Sequence, residues 1–329
     1  MKRVLVTGAS GFIGRRLVAR LEEEGCLVRA LVHSRTPDRS GPVLLETVTG
    51  DVRDAGVMKR ATQGVDTVFH LAGKVHEVLE VRNHGEDYFA VNVEGTRNLL
   101  EGAMAAGVER FIFFSSVKAM GEETPRCFDE TEEAQPVTAY GKSKREAEEI
   151  VLNYGKKSPM HVACLRLPLV YGIENKGNVS RMIAWIHRGF FPPLPALDNR
   201  RSMVSVEDVV SAALLVARNP RAKGQCYIVT DGKNYSTTEL YREILCVLGK
   251  PTPRWRVPLG LLKFLARAGD VVERLLRRRF IFDSDSLGKL TGSAWYSCDK
   301  IVREVHYRPS VTFRDALPEM IRGYRRKAA

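Results

Sequence analysis

Residues 2–14, KRVLVTGASGFIG, constrain the fold more than any other stretch of the chain. Val4, Leu5 and Val6 form a short apolar run of the kind found in a parallel strand buried on both faces. Gly8, Gly11 and Gly14 follow in a GxxGxxG spacing rather than GxGxxG. In such a turn the first glycine permits the tight bend and the second lets a pyrophosphate approach the backbone. The third lets the helix pack close to the strand. The helix they open, from Phe12 to about Glu24, presents free N–H groups and the positive end of its dipole to an anion. Strand, turn and helix in this order predict a dinucleotide-binding unit.

Strand and helix patterns then alternate, which predicts an α/β fold with a Rossmann doubly wound parallel sheet. Leu27–Val32 reads as the second strand. Its end, Val32-His33-Ser34-Arg35, lacks the carboxylate that would hold a ribose 2′-hydroxyl. His33, Ser34 and Arg35 suit a 2′-phosphate instead, so the sequence favours NADP(H), with NAD(H) as the alternative. Residues 43–48 read as a third strand, ending near Asp51, which suits either an adenine amino group or a helix N-terminus. Residues 66–70 read as a fourth strand leading into Leu71-Ala72-Gly73, small enough to run beside a cofactor. His70 reads as a packed strand residue, and 74–85 as a polar loop at the rim of the site. A helical stretch at 88–106 carries Asn92, and a fifth strand at 111–114 ends on Ser115-Ser116. A loop at 121–138 precedes a helix over 140–154, and a sixth strand spans 161–166.

Composition shifts near Gly172. A short helix at 179–188 and a proline-rich turn at 191–195 follow, then a helix at 206–217 and a strand at 225–229. From Asp231 the pattern is mainly helical. The expected division is a Rossmann domain over 1–172 and 203–232, with a smaller, mostly helical substrate domain over 173–202 and 233–329.

No apolar run reaches the length of a membrane span, and the first residues lack a secretion-signal layout. The six cysteines are scattered with no CxxC pair, which predicts reduced thiols in a cytoplasm and no metal site. The net charge of +12 points to an anionic partner, but no nucleic-acid-binding motif accompanies it. Eight basic residues against Asp270 and Glu273 make 253–282 an amphipathic basic stretch. It reads either as a peripheral contact with an anionic membrane face or as a helical lid with a solvated cationic side.

Tyr140 and Lys144 lie four residues apart on a helix and so share a face. A phenol near a nicotinamide serves as acid and base only if its pKa of about 10 is brought down, and an ammonium beside it does this. Ser116 supplies a hydroxyl to hold the substrate oxygen and share the proton.

With these residues in order, the chain resembles the extended short-chain dehydrogenase/reductases, the nucleotide-sugar epimerase and dehydratase superfamily. The resemblance runs through 7–14, Asp51, 71–73, Asn92, Ser116, Tyr140, Lys144, 167–172, 199–208 and 299–309. It is most similar to bacterial UDP-glucose 4-epimerase-like members and 4-keto-sugar reductases, whose Ser-Ser-x-Lys, KGN and NRRS stretches match 115–118, 176–178 and 199–202. The resemblance implies Tyr140 as acid and base, with Lys144 and Ser116 as its helpers. It implies cofactor contacts from Ser10, Phe12, Ile13, Val52, Asn92 and Leu167 beside the glycines, and from Tyr140 and Lys144. It implies that Lys118, Asn178 and Arg201 face the substrate, Arg201 as a forked phosphate donor.

Dehydratases of this superfamily carry an acidic residue directly after the catalytic Ser or Thr, whereas Val117 and Lys118 follow Ser116 here. The implied reaction is therefore 4-keto reduction or 4-epimerisation of a UDP-sugar in bacterial surface-polysaccharide synthesis. A non-nucleotide carbonyl, as in hydroxysteroid or keto-lipid reductases, is the alternative substrate. The resemblance also implies a homodimer that pairs 88–106 and 140–154.

Overall fold

The computed structural model describes residues 1–33, 45–75, 85–175, 177–276 and 282–328. The first half runs β1 (Arg3–Thr7), α1 (Phe12–Glu23), β2 (Leu27–Val32), β3 (Leu45–Thr49), α2 (Ala55–Thr62), β4 (Thr67–His70), α3 (Gly85–Phe89), α4 (Gly95–Ala105), β5 (Arg110–Ser116), α5 (Ala139–Lys157) and β6 (His161–Leu167). The second half runs β7 (Leu169–Tyr171), α6 (Asn178–Arg188), β8 (Arg201–Ser205), α7 (Val206–Arg218), β9 (Gln225–Ile228) and β10 (Asn234–Tyr235). It closes with α8 (Thr237–Leu248), α9 (Leu259–Leu276), α10 (Ser284–Thr291), α11 (Asp299–Val305) and α12 (Phe313–Ala328).

Seven parallel strands form the main sheet in the order β3-β2-β1-β4-β5-β6-β9. The apolar run of β1 explains its central place. Val4 and Val6 face a core shared with α1 and α7, while Leu5 faces the opposite core of α2, α4 and α5. All three are fully buried. Strand order reverses between β1 and β4, the place where open α/β sheets bind ligands at the carboxyl ends of their strands. A second sheet, β10-β8-β7, and helices α6, α8 and α12 enclose a separate core around Tyr171, Met203, Tyr241 and Phe313.

The expected helix at 88–106 is interrupted. Between α3 and α4 one π-helical turn, Ala90–Glu94, carries Asn92. The third strand begins at Leu45, and residues 43–44 of the predicted strand lie outside the described residues, as do Ser34, Arg35, Lys176 and most of the 74–85 loop.

Candidate active site

The glycine turn forms as its spacing requires. Gly8 has φ +66°, and a side chain there would meet the backbone of Ala72 at 2.8 Å. A Cβ on Gly14 would press into the Gly8 carbonyl oxygen, so α1 can lie this close to the turn only without one. Gly11 is the N-cap of α1, leaving the first N–H groups of the helix free for an anion.

Against this turn opens a crevice of about 560 Å³. Gly8, Ser10, His33, Asp51, Val52, Ala72 and Gly73 of the predicted cofactor contacts line it, and Arg53 and Lys74 join them. A dinucleotide fits such a cradle: a glycine-made phosphate end at Gly8 and Ser10 and a polar far end at Asp51. The Asp51 carboxylate is held by Arg53 at 2.6 Å and by His33 at 3.3 Å. The hydrogen bond from Arg53 brings its pKa down to about 2, so it stays ionised. Asp51 is therefore a charged rim residue; the cap of α2 is Asp54.

The other predicted cofactor contacts, Gly11, Phe12, Ile13, Gly14, Leu71, Asn92, Tyr140, Lys144 and Leu167, are not among the residues that line it. Asn92 accepts from the Lys74 N–H at 2.8 Å, and its amide donates to the Lys74 carbonyl at 3.0 Å and to Ser143 Oγ at 2.9 Å. It clips the end of the Leu71–Lys74 segment to α5. His70 is packed, as expected. The Thr96 hydroxyl donates to the Asn92 carbonyl at 2.6 Å and so accepts from His70 Nε2 at 2.9 Å. Thr7 Oγ1 accepts from the Ala72 N–H at 3.0 Å and donates to His70 Nδ1 at 2.7 Å. Burial, with Lys144 adding to it, pulls the His70 pKa down to about 3 and keeps the ring neutral.

The end of β5 and the start of α5 bring Ser116, Tyr140 and Lys144 together. Thr138 caps α5, its side chain accepting from the Gly141 N–H at 3.1 Å. The Ser116 hydroxyl accepts from the Lys118 N–H at 3.2 Å and lies near enough to the half-buried Tyr140 phenol to favour its ionised form, whereas Ser115 Oγ is buried without a partner. Tyr88 packs edge-on against the Tyr140 ring at 6.0 Å. Lys144 Nζ donates to the Phe114 carbonyl at 2.7 Å, lies over the Phe113 ring and borders Gly73 in the crevice wall.

One electrostatic expectation is reversed. Burial pushes the Tyr140 phenol above its ordinary range, and the Ser116 hydrogen bond only opposes this; Tyr88 and Glu122 add to the rise. Lys144 is itself buried, which pulls its ammonium down to about 8 against the charge of Glu148. The ammonium is spent on a backbone carbonyl, and desolvation dominates the phenol.

Lys118, a predicted substrate contact, lines neither of the two cavities. Its ammonium pairs with Glu122 at 2.7 Å, and Glu122 also accepts from the Thr138 hydroxyl at 2.7 Å. Burial pushes the Glu122 carboxyl up, but these hydrogen bonds outweigh it and hold the group below the usual range. An ionised, doubly held Glu122 is no proton source.

Asn178 and Arg201 do meet, in a second cavity of about 180 Å³. Trp185, Phe191, Phe282 and Lys289 also line it. Arg201 Nε is buried with no partner. Burial lowers the guanidinium's pKa, countered by Glu123 and Tyr296. Neither neighbouring acid on α7 serves it: Glu207 pairs with Arg16 at 2.7 Å, and Asp208 accepts from the Ser310 N–H at 2.9 Å. The two halves meet at Tyr296, whose phenol feels both Glu122 and Arg201. Its segment is stitched to 124–128 and to β8 through Trp295 N–H to Thr124 Oγ1 at 2.9 Å and Ser202 N–H to the Ala294 carbonyl at 3.0 Å.

Sequence reasoning missed Tyr88, Glu122, Lys289 and Tyr296. Only Glu122 carried a readable signal, its four-residue spacing from Lys118.

Comparison with known proteins agrees with this architecture. The chain is 33% identical to a UDP-glucose 4-epimerase of Vibrio cholerae over 83% of its own length and 85% of that protein's. It is 29% identical to a 3 beta-hydroxysteroid dehydrogenase/Delta 5-->4-isomerase of Mycobacterium tuberculosis, covering 98% of this chain and 90% of the other. The solved structure of MoeE5 in complex with UDP-glucuronic acid and NAD superposes with a TM-score of 0.78 at 25% identity, covering 99% of each chain. Residues 4–230 match the NAD dependent epimerase/dehydratase family, and the chain belongs to that family.

Proposed function

We propose that this protein is a nucleotide-sugar oxidoreductase that acts at C4 of a UDP-sugar, with 4-epimerisation as the reading best supported and 4-keto reduction as the second. The observation that carries this reading is the buried, unpartnered Nε of Arg201 in one cavity with Asn178. A desolvated guanidinium edge that no carboxylate hydrogen-bonds calls for an anion, and a sugar diphosphate supplies one. A steroid offers no such group, which sets the hydroxysteroid reading behind despite the mycobacterial relative. UDP-sugars are named for both the Vibrio cholerae relative and the MoeE5 complex.

In this reading Gly8, Ser10, Asp51, Ala72 and Gly73 hold the dinucleotide, which when bound supplies the hydride acceptor and donor. In its phenolate form Tyr140 takes the proton from the sugar 4-hydroxyl on oxidation, and the phenol so formed returns that proton on reduction. Ser116 hydrogen-bonds the same oxygen and steadies the phenol. Lys144 carries positive charge at the crevice wall below about pH 8. Arg201 and Asn178 fix the diphosphate so that C4 reaches Tyr140. The ionised Glu122 leaves elimination without its acid.

For the cofactor we propose NAD(H), the dinucleotide in the family's name. Two side chains that would meet a 2′-phosphate, His33 and Arg53, already share Asp51. The NADP(H) preference then depends on Ser34 and Arg35, outside the described residues. Competitive titration with both cofactors tests it: NADP(H) binding tenfold or more tightly, about 1.4 kcal/mol, restores that preference.

The decisive experiment incubates purified protein with UDP-glucose, UDP-galactose, their N-acetylated forms and UDP-4-keto-sugars, with NADH or NADPH added. Isomer exchange without net cofactor consumption is the expected result. Stoichiometric consumption of reduced cofactor on a keto-sugar identifies the reductase. Turnover of a 3-hydroxysteroid with no effect on any UDP-sugar overturns both.

A further inference from the structure

The two sequence readings of the basic stretch make different demands on α9. A lid buries its apolar residues and leaves cations outside. The inner face does behave so: Leu262 and Ala266 are buried against Leu194 and Leu287 in a small core that Phe191 and Phe282, both lining the second cavity, also join. The outer face does not. Leu261, Phe264 and Leu265 recur at helical spacing and are 48%, 68% and 46% exposed, and Val271 continues the same stripe. Exposed Lys263 and Arg267, four residues apart, border it. Just before the helix, Trp255 is 64% exposed between exposed Arg254 and Arg256. The acid of this stretch nearest the helix middle, Asp270, is turned toward α10, accepting from the Ser284 hydroxyl at 2.6 Å.

We propose that this outer face of α9, with Trp255, docks on the surface of an anionic lipid bilayer. An exposed apolar stripe edged by cations and led by a tryptophan matches an interfacial helix: rings and aliphatic chains enter the headgroup layer while cations meet lipid phosphates. Charge complementarity selects the bilayer over a second copy, because pairing two such faces would bring like charges together in a chain of net charge +12. No helix among the described residues is long and apolar enough to cross the membrane, so the contact is peripheral. Since the inner face of α9 shares its core with Phe191 and Phe282, docking sets the second cavity one helix away from the lipid surface.

Co-sedimentation of the full chain with vesicles tests this without any nucleotide or sugar, so its outcome stands apart from the reading of the active site. Vesicles of phosphatidylcholine with about a third phosphatidylglycerol should pellet the protein, and phosphatidylcholine alone should not. Raising salt should release wild-type protein, which needs no variant to fold. Lys263→Gln and Arg267→Gln should each lower the partition coefficient by about fivefold. Phe264→Ser should weaken it with the melting temperature unchanged. Equal binding to neutral and anionic vesicles, no binding to either, or insensitivity to these substitutions overturns the proposal. So does an oligomer that Phe264→Ser dissociates, since the face would then belong to a second copy.

Discussion

The two cavities are built in opposite ways. The crevice at the glycine turn is lined from the segments that follow β1, β2, β3 and β4, and it depends on bare backbone at Gly8, where a Cβ would meet Ala72. The second cavity is made of side chains drawn from Leu169 to Leu290, with Arg201 and Asn178 set among Trp185, Phe191 and Phe282. A backbone site depends on φ, ψ and the absence of Cβ atoms, so one substitution collapses it. A side-chain site depends on tertiary assembly, so its parts can be removed singly and its preference shifts by degrees.

The largest effect should come from filling the turn. Gly14→Val places methyl groups where even a Cβ overlaps the Gly8 carbonyl. Overpacking of this kind costs about 1–3 kcal/mol, and here it also displaces the helix end that faces the pyrophosphate. We expect dinucleotide binding to be lost and the melting temperature to fall; near-normal cofactor affinity by calorimetry would show that the turn is not the phosphate site. Arg201→Ala should act on the other cavity alone. Removing a charged hydrogen-bonding partner weakens UDP binding by about 2 kcal/mol, roughly thirtyfold, while NAD affinity stays within twofold. Unchanged UDP affinity would detach Arg201 from the diphosphate.

The smallest effect concerns His70 behind the crevice, and it appears only in acid. Its folded pKa, about 3, lies below the ordinary 6.5. Between those values the unfolded chain binds a proton that the folded chain refuses, so stability falls as pH drops from about 6.5 toward 3. Above that window the residue contributes no pH dependence. Denaturant midpoints at pH 7 and pH 5 should differ less in His70→Gln than in wild type, by about 2 kcal/mol at 1.4 kcal/mol per pH unit. Equal differences would show that His70 is free to protonate in the fold.

Legibility in the sequence follows the same contrast. The continuous apolar run of β1 and the GxxGxxG spacing are local, so the parallel sheet and the crevice can be read before folding. Tyr140 and Lys144 are also local, four residues apart on one helix, and Ser116 ends a readable strand. Their electrostatics are not: that Lys144 spends its charge on the Phe114 carbonyl, and that burial raises the Tyr140 phenol, depends on packing between strands. Lys118 illustrates the limit. A basic residue beside a catalytic serine suggests a substrate contact, yet the helical turn after β5 brings it to Glu122 instead. Tyr296 lies far along the chain from Tyr140 and reaches the site only because 293–297 is laid between 124–128 and β8. The outward apolar stripe of α9 was readable as amphipathic, but which side it buries was not.

The central claim is that chemistry occurs at the Tyr140 hydroxyl with ligands gripped on either side of it. The most direct test is UDP-sugar isomer exchange by Tyr140→Phe, with UDP and NAD affinities measured on the same preparation. Removing a general acid and base costs about 10²–10⁴ in rate. Exchange should be slowed at least a hundredfold, with both affinities within about twofold of wild type. Near-wild-type exchange by the Phe variant would contradict it.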